Sequence, residues 1–584
     1  MKILCFISLV MILASCTPQT PQKNTSEVAS YPFVVEDDLI NFTHESGARG
    51  LRHIGESVGS GGALFDADGD GDLDLYLVQG TATDENSPKK NILLYQNDGE
   101  FIQGEKPCGA EDSGDGMSCA AGDIDNDGDI DLYVVNDGPD SLYLNDGTGH
   151  FTDVTQERGI EMPLFGSSIC FLDVELDGDL DIFVGHYIEF SIDAFTPCLR
   201  EKLEVYCAPK NYPGVPCSLL ISDGKGFFSD ASASSGLASL LGKALGVLTS
   251  DVDGDGDQDL YVANDGEANF LLLNQWKETG EIKFIDDAYI AGCALGEGAK
   301  EEAGMGVEAA DLDGDGDEEI LVTNFEAQTN SCYRNDGGGM FLETSFVNGM
   351  GPPSIPNVAF GIRVLDVNLD LLPDIFITNG HVIDNIEKLT TGQTLFAQQD
   401  QLYINEGGTF KEVSPHLPAE LKVGRALISG DIDNDGDLDL ISTTWQGSPR
   451  VLRSTSAGSA PVIGLHLSGD GVSCHRDAIG AIINYAVQEK TITREHRVQS
   501  SYLASHDLHH SIQVNARTAC TSPGTPGWRG YGPLQDGGVE LAVDHAGKDG
   551  GRGLRWPQMS HPHAKGAEAG LGKGAAPALE SRRK

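Results

Sequence analysis

The sequence predicts an all-β chain, a seven-bladed β-propeller followed by a small, truncated β domain. Three observations carry this. The pattern D-x-D-x-D-G-D-x-D starts at Asp66, Asp123, Asp173, Asp251, Asp311 and Asp431, with a degraded copy at Asp366; the intervals are 57, 50, 78, 60, 55 and 65 residues. Those are blade-sized spacings, not a heptad or a short solenoid period. A short apolar run, rich in β-branched and aromatic residues, follows each copy, and Gly-containing turns follow the runs. Gly numbers 73 among 584 residues, which favours turn-rich β structure over long helices.

Each unit reads in the same order. A Phe-led strand comes first, at Phe42, Phe101, Phe151, Phe228, Phe284, Phe341 and Phe410, and the acidic loop follows 21 to 27 residues later. Next come the runs LDLYLV, IDLYVV, LDIFVG, QDLYVA, EEILVT, PDIFIT and LDLIST. A further strand ends in a hairpin turn, as in LLYQNDGE and LYLNDGTG. One unit therefore supplies about four strands, which is one propeller blade. No Phe strand follows VLRSTS (451–456). The strand around Phe42 is therefore expected to complete blade seven and remove the open edges. This places the propeller at 39–457.

The seven nine-residue windows hold 34 of the 90 acidic residues. Such crowding of like charge is costly without a cation. Oxygen ligands at alternate positions suit the hard cation Ca²⁺. Positions 1, 3 and 5 aim side chains at one centre, Gly at position 6 permits the turn, position 7 offers its carbonyl, and position 9 closes the site. The candidate ligands are Asp66, Asp68, Asp70, Asp72 and Asp74 in loop one; Asp123, Asp125, Asp127, Asp129 and Asp131 in loop two; and Asp173, Glu175, Asp177, Asp179 and Asp181 in loop three. They continue as Asp251, Asp253, Asp255, Asp257 and Asp259 in loop four, and Asp311, Asp313, Asp315, Asp317 and Glu319 in loop five. Loop six offers Asp366, Asn368, Asp370 and Asp374, and loop seven Asp431, Asp433, Asp435, Asp437 and Asp439. About six Ca²⁺ sites are expected, since loop six lacks the Gly (Leu371) and carries Pro373. An EF-hand is excluded: position 12 is Leu77, Val134, Val184, Val262, Val322 or Ser442 rather than Glu, and no helix follows.

Lys+Arg number 38 against 90 Asp+Glu, a net charge of −52, which argues against nucleic acid as a partner. No run of 18 apolar residues suggests a spanning helix. Lys2 precedes a short apolar stretch, Ile3 to Ala14, that reads as a signal peptide over 1–15. Leu13-Ala14-Ser15-Cys16 resembles the bacterial lipobox, which implies lipidation at Cys16 and display at the outer membrane or cell surface. Residues 16–38 read as a flexible tether. The membrane would then be met only through the anchor. Cys108–Cys119 and one bridge within Cys198, Cys207 and Cys217 are the expected disulfides, in an exported and therefore oxidising setting. From Asn515 the composition shifts: 515–584 carries 10 Lys+Arg against 6 Asp+Glu and reads as a disordered tail, either frame-shifted or natural and basic.

The acidic units resemble the FG-GAP/VCBS repeat of integrin-alpha-like propellers. Gly246, Gly306 and Gly361 each stand five residues before a first loop Asp, and Phe165-Gly166 and Phe360-Gly361 retain the FG pair. Over 458–514, Arg476-Asp477-Ala478-Ile479-Gly480-Ala481, Arg494-Glu495 and Ser501-Tyr502-Leu503 resemble an incomplete ASPIC/UnbV domain. Together they resemble the cartilage acidic protein family and its bacterial relatives.

No nucleophile elbow, P-loop, GxGxxG or HExxH is present. His44, His53, His186 and His381 read as structural residues near the propeller mouth, and no catalytic residue is expected. The aromatic, Cys-bearing insertion at 185–217 is the best candidate for a binding surface. The expected function is a calcium-binding, cell-surface adhesion or binding module for an extracellular glycan or protein. Its rivals are a carbohydrate-active lyase or hydrolase on the same scaffold, or a scaffold subunit of an envelope complex.

Overall fold

The computed structural model describes residues 32–513 with short breaks and, outside that range, the strands Phe6–Ser8 and Glu540–His545. Seven antiparallel sheets form the blades of a propeller. Their inner strands are Gly62–Phe65, Gly116–Gly122, Gly166–Leu172, Ala244–Ser250, Val307–Ala310, Ala359–Leu365 and Gly424–Gly430. Each inner strand stops one residue before an acidic loop, and the second strand starts at position 9 of that loop. All seven loops therefore lie on one face of the ring, and the connections between second and third strands lie on the other.

The first two strands of a blade are buried on both sides, and the third over most of its residues, because each blade is stacked between two others. Phe171, Phe183 and Leu219 of blade three, for example, are all fully buried. Outermost strands bury one residue and expose the next, with Phe151, Phe228 and Phe410 inward. Each such Phe is worth roughly 1.5–3 kcal/mol of burial. Apolar clusters fill every junction, from Ala63, Tyr76 and Val134 between blades one and two to Ile428 and Leu64 between seven and one. Near the axis the strands crowd. A Cβ on Gly246 would stand 2.4 Å from the Met305 carbonyl oxygen, and one on Gly306 would stand 2.2 Å from that of Phe360.

Blade seven is closed from the amino end, but not by the strand around Phe42. Phe33–Glu36 pairs antiparallel with Arg450–Ser454, so the propeller starts within the stretch expected to be tether (16–38). Phe42 instead packs partly buried between blades one and seven. The other six outer strands stand where the Phe frame places them. The tail supplies one strand, Glu540–His545, against Val462–Ser468. That corrects the expectation of a tail without strands at those six residues; the rest of 515–584 lies outside the described residues.

The segment after the propeller docks into it. A hairpin, Ile482–Val487 with Lys490–Glu495, lies on the acidic-loop face. Residues 497–507 then run into the ring. Ser501 exchanges two backbone hydrogen bonds with Val307, and Ala504–Ser505 runs parallel to Gly62–Ala63. This stretch hydrogen-bonds the inner strand of every blade: Gly62, Ala121, Phe171, Thr249, Val307, Ile362 and Ser429. Its charges are matched inside. Arg497 pairs with Glu318 and lies 3.5 Å from Glu495, while Arg363 pairs with Glu308 at 2.5 Å and donates to Ser500 Oγ.

Loop position 4 is left-handed in every blade. Gly69, Gly254 and Gly314 take φ near +75°, and Asn126 and Asn434 take φ of +59° and +56°. Leu176, at +55° and 40% exposed, has neither the freedom of Gly nor the local hydrogen bonding of Asn. Leu176→Asn should therefore stabilise the protein by up to about 1 kcal/mol, read as a raised urea midpoint.

Candidate metal centre

The loops repeat one hydrogen-bond pattern. The position 1 carboxylate folds the loop around itself: Asp66 accepts from the amides of Gly69 and Gly71, Asp123 from Asp127 and Gly128, Asp431 from Asp435 and Gly436. At position 5, Asp70, Asp127, Asp177 and Asp255 each accept from the amide two residues on. The position 9 carboxylate ties the loop to the blade. Asp74 accepts from the Ala67 and Gln96 amides, and Asp131, Asp181, Asp259, Glu319, Asp374 and Asp439 repeat this bond for bond. Position 9 is thus a structural brace as well as a candidate ligand, a role the spacing alone does not reveal.

At positions 1, 3 and 5 the side chains converge. One oxygen from each of Asp66, Asp68 and Asp70 lies within 4.8 Å of the others, as in Asp123–Asp125–Asp127, Asp251–Asp253–Asp255 and Asp311–Asp313–Asp315. Asp68 Oδ1, Asp125 Oδ1, Glu175 Oε2 and Asp251 Oδ1 are buried and accept no hydrogen bond. Opposite ligands of an ion bound at about 2.4 Å stand about 4.8 Å apart, so this donor set fits one hard cation per loop. Burial pushes the carboxyls up: Asp123 to about 8, Asp173 to about 7, Asp74 to about 8, Asp131 and Glu319 to about 9. Bare charges are thus strongly disfavoured here. Loop six folds like the rest despite its sequence. Asp366 accepts from the Asp370 and Leu371 amides, and Leu371 takes the left-handed φ, +72°, that Gly takes elsewhere.

The docked segment touches these loops at their first residues. Asp477 accepts from the Asp123 amide, Glu495 from that of Asp251, and the Thr493 amide donates to Asp311. Its partners at position 8 carried a readable signal. Loops one, two, three and seven have Leu or Ile there, but loops four and five carry Gln258 and Glu318, which bond to Glu495 and Arg497.

On the opposite face the insertion after His186 crosses the mouth. Its hairpin, Cys198–Arg200 with Leu203–Val205, is closed by a Cys198–Cys207 disulfide. It packs Val205 on Ile383 and Ile386 of blade six, and Glu204 accepts from Asn385. Phe190 stacks on His53 at 4.8 Å. Tyr502 of the axial segment closes the floor beside Phe360 and Tyr187. Cys108 and Cys119 are not bridged; both are free thiols in the core between blades one and two, where burial pushes Cys108 up to about 11. His44, His186 and His381 are buried, and burial holds His44 near 3 and His186 near 4. His44 Nδ1 accepts from the Gln446 amide, and His381 Nδ1 from that of Ile383. Cys16 lies outside the described residues.

Fold and loops together define a β-propeller built from acidic-loop repeats. The chain belongs to the FG-GAP-like repeat family, with matches over residues 66–134, 123–184, 251–322, 311–377 and 391–442, about half of its length. No curated protein matches it. Among solved structures it is similar to an Agrocybe aegerita lectin that recognises non-reducing terminal N-acetylglucosamine, at 16% identity over 62% of this chain and 80% of that one, with a TM-score of 0.35. It is also similar to the outer coat vertex of COPII on membranes, at 9% identity over 68% and 84%, TM-score 0.39. The exotype rhamnogalacturonan lyase YesX is similar at 13% over 67% and 74%, TM-score 0.30. None of these three likenesses bears on what this chain binds.

Proposed function

We propose that the protein is a calcium-stabilised binding module of the bacterial cell surface, anchored through a lipid on Cys16. The observation that carries the calcium reading is the set of buried loop oxygens that accept no hydrogen bond, converging at cation spacing in loop after loop. Binding is favoured over catalysis because the axis is filled by 497–507, His44, His186 and His381 are buried, and the half-buried His53 is stacked on Phe190. The binding face is the outer side of the insertion, where Ile192 and Leu199 are exposed beside Arg200 and Lys202. The ligand class is an extracellular glycan or protein.

The test is capture on glycan and matrix-protein arrays with calcium present, with a product assay on every hit. Leu199→Asp should abolish capture while leaving calcium stoichiometry intact. Turnover of a captured glycan would replace this reading with the enzyme. Anchoring has its own test: Cys16→Ser should move the protein from the membrane fraction to the soluble one, and a variant that stays with membrane sinks the lipobox.

A further inference from the structure

Blade four differs from its neighbours beside the acidic loop. In blades two and three the third strand leaves through an Asp-Gly turn, and the position 7 carboxylate leans on that Gly. A Cβ on Gly147 would meet Asp129 at 2.6 Å, and one on Gly224 would meet Asp179 at 2.4 Å. Blade four replaces the turn with a longer excursion containing a helical turn, Trp276–Thr279. This brings the Lys277 amide onto Asp257 Oδ2 at 3.0 Å and adds a third carboxylate, Glu278.

Asp257 is only 2% exposed, and its Oδ1 accepts no hydrogen bond. Asp255 Oδ2, beside it, is equally buried and equally without a donor. One oxygen from each of Asp255, Asp257 and Glu278 lies within 4.8 Å of the others. The nearby cation does not resolve this: Lys277 Nζ donates to the Asp255 backbone carbonyl at 2.9 Å. We propose that blade four holds a second divalent cation, Ca²⁺, between Asp255, Asp257 and Glu278. Asp255 then belongs to both sites, and its negative charge offsets part of the mutual repulsion of the two ions. Glu278 closes the site from solvent, since it is exposed while Asp257 forms the buried floor. The proposal rests on the calcium reading of the loops through the shared Asp255.

Calcium stoichiometry on the full chain separates the two claims, measured by equilibrium dialysis with Ca²⁺ and repeated with Tb³⁺ for tighter binding. Glu278→Gln should remove one equivalent, Asp251→Ala one, and Asp255→Asn two. Trp276 stands two residues from Glu278, so Tb³⁺ emission excited through Trp should fall in Glu278→Gln. Glu278 is exposed, so its variant folds, and an unchanged circular dichroism spectrum checks this. If Glu278→Gln keeps every equivalent while Asp251→Ala loses one, a proton shared by Asp255 and Asp257 occupies the position instead, and the proposal falls while the loop reading stands. If the wild type binds no calcium, both fall.

Discussion

Stripping calcium should lower the melting temperature by many degrees, and magnesium should restore little of it. Extracellular calcium modules bind at roughly 10⁻⁴–10⁻³ M. At about 1 mM calcium and a dissociation constant of about 10⁻⁴ M, each site adds about 1.4 kcal/mol, and six independent sites add roughly 8 kcal/mol. That matches the whole stability of an ordinary domain. Mg²⁺ keeps its waters and cannot replace this ligation. The metal-free protein should also show an inverted pH response. Asp123 and Asp74 are pushed up to about 8, and Asp131 and Glu319 to about 9, mainly by burial. Their unfolded values are near 4. Between about pH 4 and pH 9 the folded state therefore holds more protons, so its stability is greatest at the acid end and falls as pH rises. Calcium should flatten that slope by replacing the protons. Melting curves with chelator across this range check both parts. Curves indifferent to chelator would reduce the loops to plain turns.

Arg497→Ala should cost about 3–5 kcal/mol, because it leaves Glu318 and Glu495 buried without their cation. Burial, with Glu318 alongside, already pushes Glu495 up to about 7. Adding Glu318→Gln to Arg497→Ala should recover part of the loss, since one uncompensated charge is gone. Chemical denaturation of the two variants measures this. A loss below about 1 kcal/mol for Arg497→Ala would mean that the axial segment is not part of the cooperative unit.

The blades were legible because each repeats its own chemistry: an inward Phe, an acidic loop, an apolar strand. The closing strand was not. In six blades a hairpin joins the third strand to the Phe strand, so the turn locates that Phe. In blade seven these strands belong to opposite ends of the propeller, so no turn locates it, and the link to the next acidic loop is longer: Phe33 stands 33 residues before Asp66 instead of 21 to 27. Phe42 fitted the frame and merely packs at the junction. The loops' ligand positions were readable from alternation. The brace at position 9 needed the third strand's amides, which only the fold supplies. The axial segment breaks the period and pairs through isolated polar side chains and short backbone contacts at Ser501 and Leu503–Ser505. Its trace in the loops was Gln258 and Glu318, standing where loops one, two, three and seven carry Leu or Ile.

Closure of blade seven also sets a timetable for assembly. Glu36 meets Arg453 across 417 residues of chain. At ribosomal speeds of about 5–20 residues per second, the first strand of the propeller waits on the order of 20–80 s for its partner to be made. Until then both ends of the growing array present open strand edges, which are templates for wrong pairing. The segment that fills the axis is made later still. The last steps of folding therefore join the most distant parts of the chain, and a nascent propeller halted short of residue 450 would be held by an unlatched ring.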